Sequence, residues 1–305
     1  MKLEGGCILL EKNTVEIRDL SVAYGKKEAL SHLNLTVRPG LFGLLGRNGA
    51  GKTTLMRTLA GLLTPSGGKA VVCGVPLQMR AQIRQMTGYL PQDFNVYPSM
   101  RVEEALDYLG VLSGLPRRVR KERIPALLRR VNLEEQAGAR VRALSGGMRR
   151  RLGIAQALLH DPRVLIVDEP TAGLDPEERI RFRNLLGEVA SDRVVLLSTH
   201  IVGDIEAVCE NLAVLERGRL LYSGPVEGLA EQAQGQVYQV SVSRAQLEAL
   251  KEQFSVTAAL QEGRGFVARV LADRPPLPTA APCMPGLEDG YLSLLAREKR
   301  GGGGR

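Results

Sequence analysis

Apolar residues along this chain fall into short runs that alternate with longer amphipathic stretches. The short runs predict strands, and several lack polar interruptions, which is typical of strands covered on both faces. They read VEIRDLSVAY, LNLTV, LFGLLG, VLIVDE, VVLLST and LAVLERGRLLYSG. Helical spacing of apolar residues predicts helices over residues 52–62, 102–112, 147–160, 176–189 and 202–210. This alternation predicts an α/β fold with a largely parallel core sheet.

Two regions depart from the alternation. Between about residues 102 and 160 only helical patterns remain, which predicts a helical subdomain inserted into a sheet domain spanning 1–234. Beyond that domain, VYQVSVS, QLEALKEQF and GFVARVLA predict strand, helix and strand, and a last helix is expected over 287–297. We therefore expect a small C-terminal α/β appendix over 235–298 and a disordered glycine-rich tail over 299–305.

The composition of the 305 residues narrows the class of protein. Hydrophobic residues make up 44% of the chain, as in ordinary soluble proteins, and no apolar run approaches the roughly 18 residues that span a bilayer. The N-terminal MKLEGGCILLEKNT lacks the cleavage pattern of a signal peptide. The four cysteines lie far apart, so we expect reduced thiols and no zinc site. These features predict a protein that stays in the cytosol.

The net charge of +8 is concentrated in PRRVRKERIPALLRR, residues 116–130, and in Arg140, Arg142 and 149–151. Such a basic segment has two interpretations: a solvated helix face, or a surface that contacts nucleic acid or an anionic membrane. Only 4% of residues are aromatic and there is no Trp, so a base-stacking surface lacks its usual residues. Nucleic acid is therefore not an expected partner.

The segment GRNGAGKTT fits the phosphate-loop pattern G-x-x-x-x-G-K-[S/T], after an apolar strand and before a helix. Its glycines let backbone N–H groups turn inward around anionic oxygens at the positive end of a helix. Lys52 would reach the β- and γ-phosphates, and Thr53 would ligate Mg²⁺. The predicted nucleotide-binding residues of this loop are Gly46, Arg47, Asn48, Gly49, Ala50, Gly51, Lys52, Thr53 and Thr54.

The run VLIVDE predicts a buried strand that ends in two carboxylates. In a chain that carries a phosphate loop, Asp168 is placed to hold Mg²⁺, directly or through a water. Glu169 is placed as the general base for the attacking water, a role worth roughly 10²–10⁴ in rate. Residues 46–54 and this strand end together predict a nucleotide hydrolase.

These motifs, with LSGGMRRRLGIAQALL, resemble the ATP-binding subunits of ABC transporters. GRNGAGKTT, YLPQDF, LSGGM, VLIVDEPTAGLD and LSTH follow one another in the family order, over about residues 14–230. LSGG placed shortly before VDEPTAGLD is the most specific part. The resemblance implies a P-loop NTPase fold of the ABC cassette type, with an inserted helical subdomain.

Further site residues are implied by the resemblance alone. Gln92 matches the glutamine that senses the γ-phosphate and Mg²⁺, and His200 matches the histidine that orients the attacking water. Tyr24 matches the aromatic residue that stacks on adenine. Outside the family order, the first two would be ordinary turn or loop residues, and Tyr24 would be a partly buried strand tyrosine.

The resemblance also explains why a second glycine-rich turn precedes a helix. In the family, two cassettes pair head to tail, and LSGG of one covers the ATP held by the other. Ser145, Gly146 and Gly147 would thus contact the partner's γ-phosphate, and Asp175 would touch the partner's active site. A small hydroxyl and two glycines at a helix N-terminus suit an anion. Both a homodimer and a pair with a different cassette are compatible with this sequence, in which Met148 replaces the glutamine of many members.

A cassette without a membrane span needs a separate membrane permease for transport. We expect it to dock through the helical subdomain and the segment after Gln92, on the cytoplasmic side of the cell membrane. The segments YLPQDFNVYPSMRVEEALDYL and STHIVGDIEAVCENLAVLERGRLLYSG are most similar to bacterial antibiotic and multidrug exporter cassettes, which implies export. The alternative is a soluble ABC ATPase acting on ribosomes or DNA. Members of that kind carry two cassettes in one chain or long coiled coils, and neither is seen here.

Overall fold

The computed structural model describes residues 13–301. The first part of this range forms the following elements: β1 (Val15–Tyr24), β2 (Lys27–Val37), β3 (Gly40–Leu45), α1 (Lys52–Leu59), β4 (Gly67–Val72), β5 (Val75–Pro76), α2 (Arg80–Met86), β6 (Thr87–Leu90), α3 (Val102–Leu112), α4 (Arg117–Arg130), a 3₁₀ turn (Val141–Ala143) and α5 (Gly146–Leu158). The rest forms β7 (Val164–Asp168), α6 (Pro176–Val189), β8 (Val194–Thr199), α7 (Val202–Glu206), β9 (Asn211–Glu216), β10 (Arg219–Pro225), α8 (Val226–Glu231), β11 (Val237–Val242), α9 (Arg244–Gln253), β12 (Ser255–Glu262), β13 (Gly265–Leu271), β14 (Ala281–Pro282) and α10 (Leu287–Gly301).

The central sheet has the strand order β10–β9–β3–β8–β7–β6. The pairs β3–β8, β3–β9, β6–β7 and β7–β8 are parallel, and every residue of β7 and β8 is buried. The predicted parallel core sheet and α/β fold are therefore confirmed. β6 was not predicted, because its four residues are too few to show a pattern. The run LAVLERGRLLYSG forms two strands, since the chain turns at Arg217 and Gly218.

A second sheet, with the order β2–β1–β4–β5, is antiparallel throughout. The runs in β1 and β2 were predicted as strands, but not as a separate sheet. Leu20 of this sheet, Leu44 of the central sheet and Met56 of α1 belong to one buried hydrophobic cluster. The two sheets therefore share a core with the helix that follows the phosphate loop.

The region predicted to be helical contains α3, α4 and α5, and no strand lies between β6 and β7 in this described part of the chain. α4 lies in the region predicted to be helical, and a solvated helix face was one interpretation of its basic segment, but its bounds were not predicted because its mostly charged sequence shows little apolar periodicity. Its two buried residues, Ile124 and Leu128, are four positions apart and face the neighbouring helices. α5 packs against β6 of the central sheet and also contacts α3 and α4, so the helix that begins at the LSGG turn joins the helical region to the sheet.

The chain divides into two compact units between Leu220 and Leu221, earlier than the composition change near residue 235. The second unit contains an antiparallel sheet with the order β12–β13–β11–β14. Its core is formed by Val240, Val242, Leu247, Leu250, Ala268 and Val270. β12 was not predicted, since it is an exposed edge strand with few inward apolar residues.

The last helix, α10, ends at Gly301, past the predicted end at residue 297. Residues 302–305 of the predicted tail lie outside the described residues, as do Cys7 and most of the N-terminal segment considered as a signal peptide. Within residues 13–301, no helix is both long and apolar enough to cross a bilayer.

Candidate functional site

The phosphate loop joins the buried strand β3 to α1. Gly51 directly precedes the helix with a φ of 109°, and a Cβ there would lie 2.8 Å from the carbonyl oxygen of Ala29. No side chain caps α1, so its first backbone N–H groups are available to an anion. Arg47, Asn48 and Gly49 at the loop tip are exposed. The local geometry therefore suits a phosphate.

Lys52 is held in a defined position beneath this loop. Its ammonium group donates to the carbonyl oxygens of Gly46 at 2.7 Å and Arg47 at 3.2 Å. It also lies 3.0 Å from Oε1 of Glu169, and both side chains are buried. Two buried opposite charges in contact avoid the large penalty of a lone buried charge.

An open cleft of about 650 Å³ brings the predicted residues together. Its lining includes predicted residues from four separate parts of the sequence: Tyr24, Arg47, Asn48, Gly49, Gly51, Lys52, Thr53, Thr54, Gln92 and Glu169. Tyr24 is 50% exposed at the end of β1, so its ring is available to a planar ligand. Gly46 and Ala50 lie behind this lining as buried parts of the loop.

The acidic end of β7 forms a network with β8. Ser198 Oγ donates to Oδ1 of the fully buried Asp168 at 2.8 Å. The backbone N–H of Glu169 donates to the Ser198 carbonyl at 3.0 Å, with Glu169 in the left-handed region at a φ of 48°. Oε2 of Glu169 is 2.6 Å from Nδ1 of His200. A strained backbone held by these contacts is common where a side chain must be aimed.

The donor set at Asp168 is compatible with Mg²⁺. Its Oδ2 is buried and has no hydrogen-bond partner within the described part of the chain. Asp168 itself lies behind the cleft lining, whereas Thr53, in the first turn of α1, and Glu169, the residue after Asp168, both line the cleft. Carboxylate and hydroxyl oxygens with phosphate oxygens are the ligands that Mg²⁺ prefers.

Several cleft residues were missed by the sequence analysis: Lys27, Glu28, Ala29, Arg217 and Gly218. Gly218 N–H donates to the Ala50 carbonyl at 2.8 Å, and Ser31 N–H donates to the Gly218 carbonyl at 2.8 Å. The β9–β10 turn therefore packs on the phosphate loop. The glycine in LERGRL indicates a turn, but not where that turn packs.

The LSGG segment lies apart from this cleft. Ser145 and Gly146 are exposed, and Ser145 Oγ accepts a hydrogen bond from the Met148 N–H at 3.2 Å as the N-cap of α5. Asp175 caps α6 in the same way, since its Oδ1 accepts from the Glu178 N–H at 2.8 Å. Across residues 13–301, the lining of the 650 Å³ cleft includes none of the predicted Ser145, Gly146, Gly147 and Asp175.

The helix that carries LSGG nevertheless contacts the Gln92 segment. Arg150 of α5 donates to the carbonyl oxygens of Pro91, at 3.4 Å, and of Gln92. Burial lowers the pKa of the Arg150 guanidinium below its usual value. A second residue of α5, Arg151, is buried and its Nε lies 3.3 Å from Oε2 of Glu178 on α6. These contacts place α5 between the Gln92 segment and α6.

Comparisons with known proteins agree with this geometry. The sequence model of the family described as ABC transporter matches residues 30–172. The chain is 39% identical over 299 residues to Nod factor export ATP-binding protein I of Cupriavidus metallidurans, covering 94% of this chain and 98% of that protein. A solved ATP-binding subunit of an ABC transporter matches with a TM-score of 0.64 and 30% identity, covering 72% of this chain and 92% of its own. The structure of cbiO1 from Clostridium perfringens, described as part of the ABC transporter complex cbiONQ, matches with a TM-score of 0.67 and 26% identity over 79% and 94% of the two chains.

Proposed function

This chain belongs to the family of ABC transporter ATP-binding subunits, and from that premise we propose that it closes head to tail with a second cassette around ATP. It binds and hydrolyses ATP as a member of this family. In the proposal, ATP-driven closing and opening of the cassettes drive a separate membrane permease that exports its cargo. The partner cassette is a second copy or a related chain.

The observation that carries the proposal is the separation of two glycine-bearing helix starts within one chain. The cleft at Lys52 holds the predicted phosphate loop, whereas Ser145 and Gly146 lie exposed outside the lining of that cleft. A second cassette that presents its own Ser145 would complete the cleft. ATP would then bridge the two chains, and hydrolysis would weaken the contact.

Each side chain has a proposed role in that complex. Lys52 and the loop N–H groups bind the phosphates, and Tyr24 supports the adenine ring. Thr53 and Asp168, with Gln92, would hold Mg²⁺, which neutralises phosphate charge when bound. Glu169 accepts a proton from the attacking water, and His200 orients that water. Asp175 touches the partner's active site.

The proposed direction of transport and the proposed permease contact have separate grounds. The relative from Cupriavidus metallidurans is named for export. The two segments of this chain that resemble exporter cassettes also favour export. For docking, we propose the surface around Tyr97 and Tyr108, which are 58% and 37% exposed and stack edge to face with their ring centroids 5.8 Å apart. Exposed aromatic residues are typical of protein interfaces. The subunit would thus sit on the cytoplasmic face of the membrane.

The test uses a tagged Glu169→Gln chain as bait in its native host, with ATP present. This variant keeps a side chain of the same shape but accepts no proton, so we expect ATP binding and a trapped dimer with turnover nearly abolished. A polytopic membrane protein should co-purify in a stoichiometric amount. A Lys52→Ala bait is the control, since it should fail to bind ATP and to form the trapped dimer.

Two outcomes would contradict the proposal. Normal turnover by the Glu169→Gln chain would remove the general-base role. Ribosomes or DNA-bound proteins in place of a membrane protein would mean that the ATPase acts outside transport.

A further inference from the structure

The basic helix α4 carries some cations that the fold itself explains. Arg120 Nε donates to Asp107 Oδ1 at 2.7 Å, and Arg120 Nη1 donates to the Leu115 carbonyl at 2.6 Å. These bonds fix the first turn of α4 against α3. Arg123 Nη1 donates to the Leu159 carbonyl at 3.1 Å. Such arginines stabilise the helical region and need no external ligand.

Three other cations at the start of α4 are not explained by the fold. Arg117 and Arg118 are exposed, as is Lys121, and within residues 13–301 their side chains form no ion pair or hydrogen bond. Glu122 is the only acidic residue in the sequence of α4. Unpaired like charges on adjacent helical positions repel one another and create a strong positive potential. This cluster therefore points to an anionic partner.

Exposed apolar side chains lie next to these cations. Val111 and Leu112, at the end of α3, are 51% and 66% exposed. The turn that follows is tight, because Leu115 N–H donates to the Gly110 carbonyl and Gly114 N–H donates to the Val111 carbonyl, both at 2.9 Å. The end of α3 and the start of α4 thus stay adjacent. We call Val111, Leu112, Arg117, Arg118 and Lys121 the α3–α4 corner.

We propose that the α3–α4 corner contacts anionic lipid headgroups at the membrane surface. Its cations attract lipid phosphates, and its two apolar side chains reach the boundary between headgroups and acyl chains. A nucleic acid backbone would satisfy the cations but offers no apolar layer to Val111 and Leu112. The contact would add a lipid anchor beside the permease of the proposed function. Vesicle binding itself requires neither permease nor ATP, so it tests the corner separately.

The test is co-sedimentation of the full-length chain with phosphatidylcholine vesicles, with and without phosphatidylglycerol. We expect binding to the anionic vesicles and a loss of about tenfold or more in the Arg117→Gln, Arg118→Gln, Lys121→Gln variant. The matched control removes the same charge from exposed, unpaired positions of the second unit: Arg244→Gln, Arg264→Gln and Arg274→Gln. The control should bind within about twofold of the unmodified chain, and ATP hydrolysis should be unchanged in both. Leu112→Ser should weaken vesicle binding about threefold.

Three results would overturn this proposal. Anionic vesicles that fail to bind the chain would exclude a lipid surface. An equal loss in the two triple variants would mean that only net charge matters. Binding of a DNA duplex through the same three cations, without vesicle binding, would assign the corner to nucleic acid.

A second, independent inference concerns a buried carboxylate outside the cleft. Asp204, in α7, is fully buried, and its Oδ2 accepts a hydrogen bond from Thr171 Oγ1 at 2.5 Å. Arg183 Nη1 and Arg179 Nε lie 3.8 and 4.0 Å from its Oδ1. Thr171 lies shortly after Glu169 in sequence and Asp204 lies shortly after His200, so this bond joins the two segments that carry the Glu169–His200 contact.

We infer that Asp204 and Thr171 are positioning residues for Glu169 and His200, an inference that rests on the proposed roles of that pair. Thr171→Val removes the hydroxyl but keeps the shape, whereas Thr171→Ser keeps the hydroxyl. We expect the valine variant to lower kcat about tenfold with an unchanged KM for ATP, and the serine variant to stay within about threefold of the unmodified chain. A normal kcat in Thr171→Val, or an equal fall in both variants, would overturn the inference. Failure of the pair itself would show separately, in Glu169→Gln.

Discussion

Two helices of this protein begin at glycine-bearing turns, but their first turns are built differently. α1 follows Gly51 in a left-handed conformation, and no side chain caps it. α5 follows Ser145, whose hydroxyl already accepts a hydrogen bond from the Met148 N–H. The N-terminus of α1 therefore keeps its backbone donors for a ligand, whereas α5 uses one donor internally.

The surroundings of the two helix starts differ as well. Lys52 is buried and paired with Glu169 beside an open cleft, whereas Ser145 and Gly146 are exposed. A buried cation at a helix N-terminus forms an anion site within one chain. In the proposal, the exposed Ser145 hydroxyl and the remaining first-turn N–H groups of α5 contact an anion that a second cassette brings to them. The comparison teaches that two similar glycine-rich turns can differ in burial and in free backbone donors, and in the proposed dimer the second turn would complete the site formed by the first.

The largest effect should come from a substitution at the start of α1, where Lys52 lies. Lys52→Ala should lower ATP affinity about a hundredfold or more, because phosphate charge loses its buried cation and Glu169 is left unpaired. Titration calorimetry with ATP measures this loss. Lys69→Ala, at an exposed position of β4, is the control and should bind ATP normally. Unchanged affinity in Lys52→Ala would mean that the cleft does not bind the phosphates as described.

Substitutions of Ser145 separate its capping role from its proposed contact with the partner's ATP. Asp is as good an N-cap as Ser, so Ser145→Asp should keep the free energy of unfolding. Its negative charge would face the γ-phosphate across the dimer, and hydrolysis should fall about a hundredfold. Ser145→Ala should lose about 1 kcal/mol of stability through the missing cap.

The two Ser145 variants are compared by denaturant unfolding, steady-state ATP hydrolysis and ATP binding to the monomer. Binding to the monomer should be unchanged in both. A Ser145→Asp chain with full hydrolysis would leave Ser145 as a cap only and would remove the trans contact from the proposal.

Alanine substitutions of the adjacent Gly146 and Gly147, at the start of α5, can be compared with each other because only one of them would produce a clash. A Cβ on Gly147 would overlap the Glu178 side chain, which is held by Arg151 and Arg181, whereas a Cβ on Gly146 meets no atom within 4 Å. We expect Gly147→Ala to lower the free energy of unfolding by about 1–3 kcal/mol. Gly146→Ala should leave it unchanged or raise it by up to about 1 kcal/mol. Equal stability of the two variants in denaturant titrations would show that Glu178 moves aside freely.

The smallest expected effect depends on pH and concerns His160, which lies just after the C-terminal end of α5. Burial lowers the pKa of His160 below its usual value of 6.5. Its contribution to stability is complete above about pH 6.5 and is lost as the pH falls through the lowered folded-state pKa, because the unfolded chain then binds the proton more readily. Thermal unfolding between about pH 7 and pH 5 should therefore show a smaller decline in His160→Gln than in the unmodified chain. Identical slopes would contradict this role of His160.

Much of the fold could be predicted because its elements leave local patterns. The buried runs in β3, β7 and β8 are long enough to identify parallel core strands, and the helical region follows from the loss of strand patterns. β6 and β12 were missed because one is very short and the other is an exposed edge strand. The bounds of α4 within the predicted helical region were not identified because only Ile124 and Leu128 of its residues are buried.

For the site, the sequence identified most of the residues that line the cleft, but not the contacts that hold those residues in place. Ser198 behind Asp168 and the turn at Arg217 and Gly218 against the phosphate loop were not predicted. Neither contact leaves a local pattern, since the partners are separated by many residues and meet only through pairing of β7 with β8 and of β3 with β9. The roles of Gln92, Ser145 and Asp175 remain predictions, and the Ser145 variants test the second of them.

The sequence by itself determined which residue types stand together: a glycine loop with Lys52, an apolar run followed by Asp168 and Glu169, and a second glycine turn after Leu144. These follow from residue types at short spacing, which local backbone geometry fixes. Only the tertiary structure decided that Lys52 and Glu169 form a buried pair, that His200 contacts Glu169, and that Ser145 lies outside the cleft. Such facts depend on how distant segments pack, because burial and contact between them are properties of the folded chain.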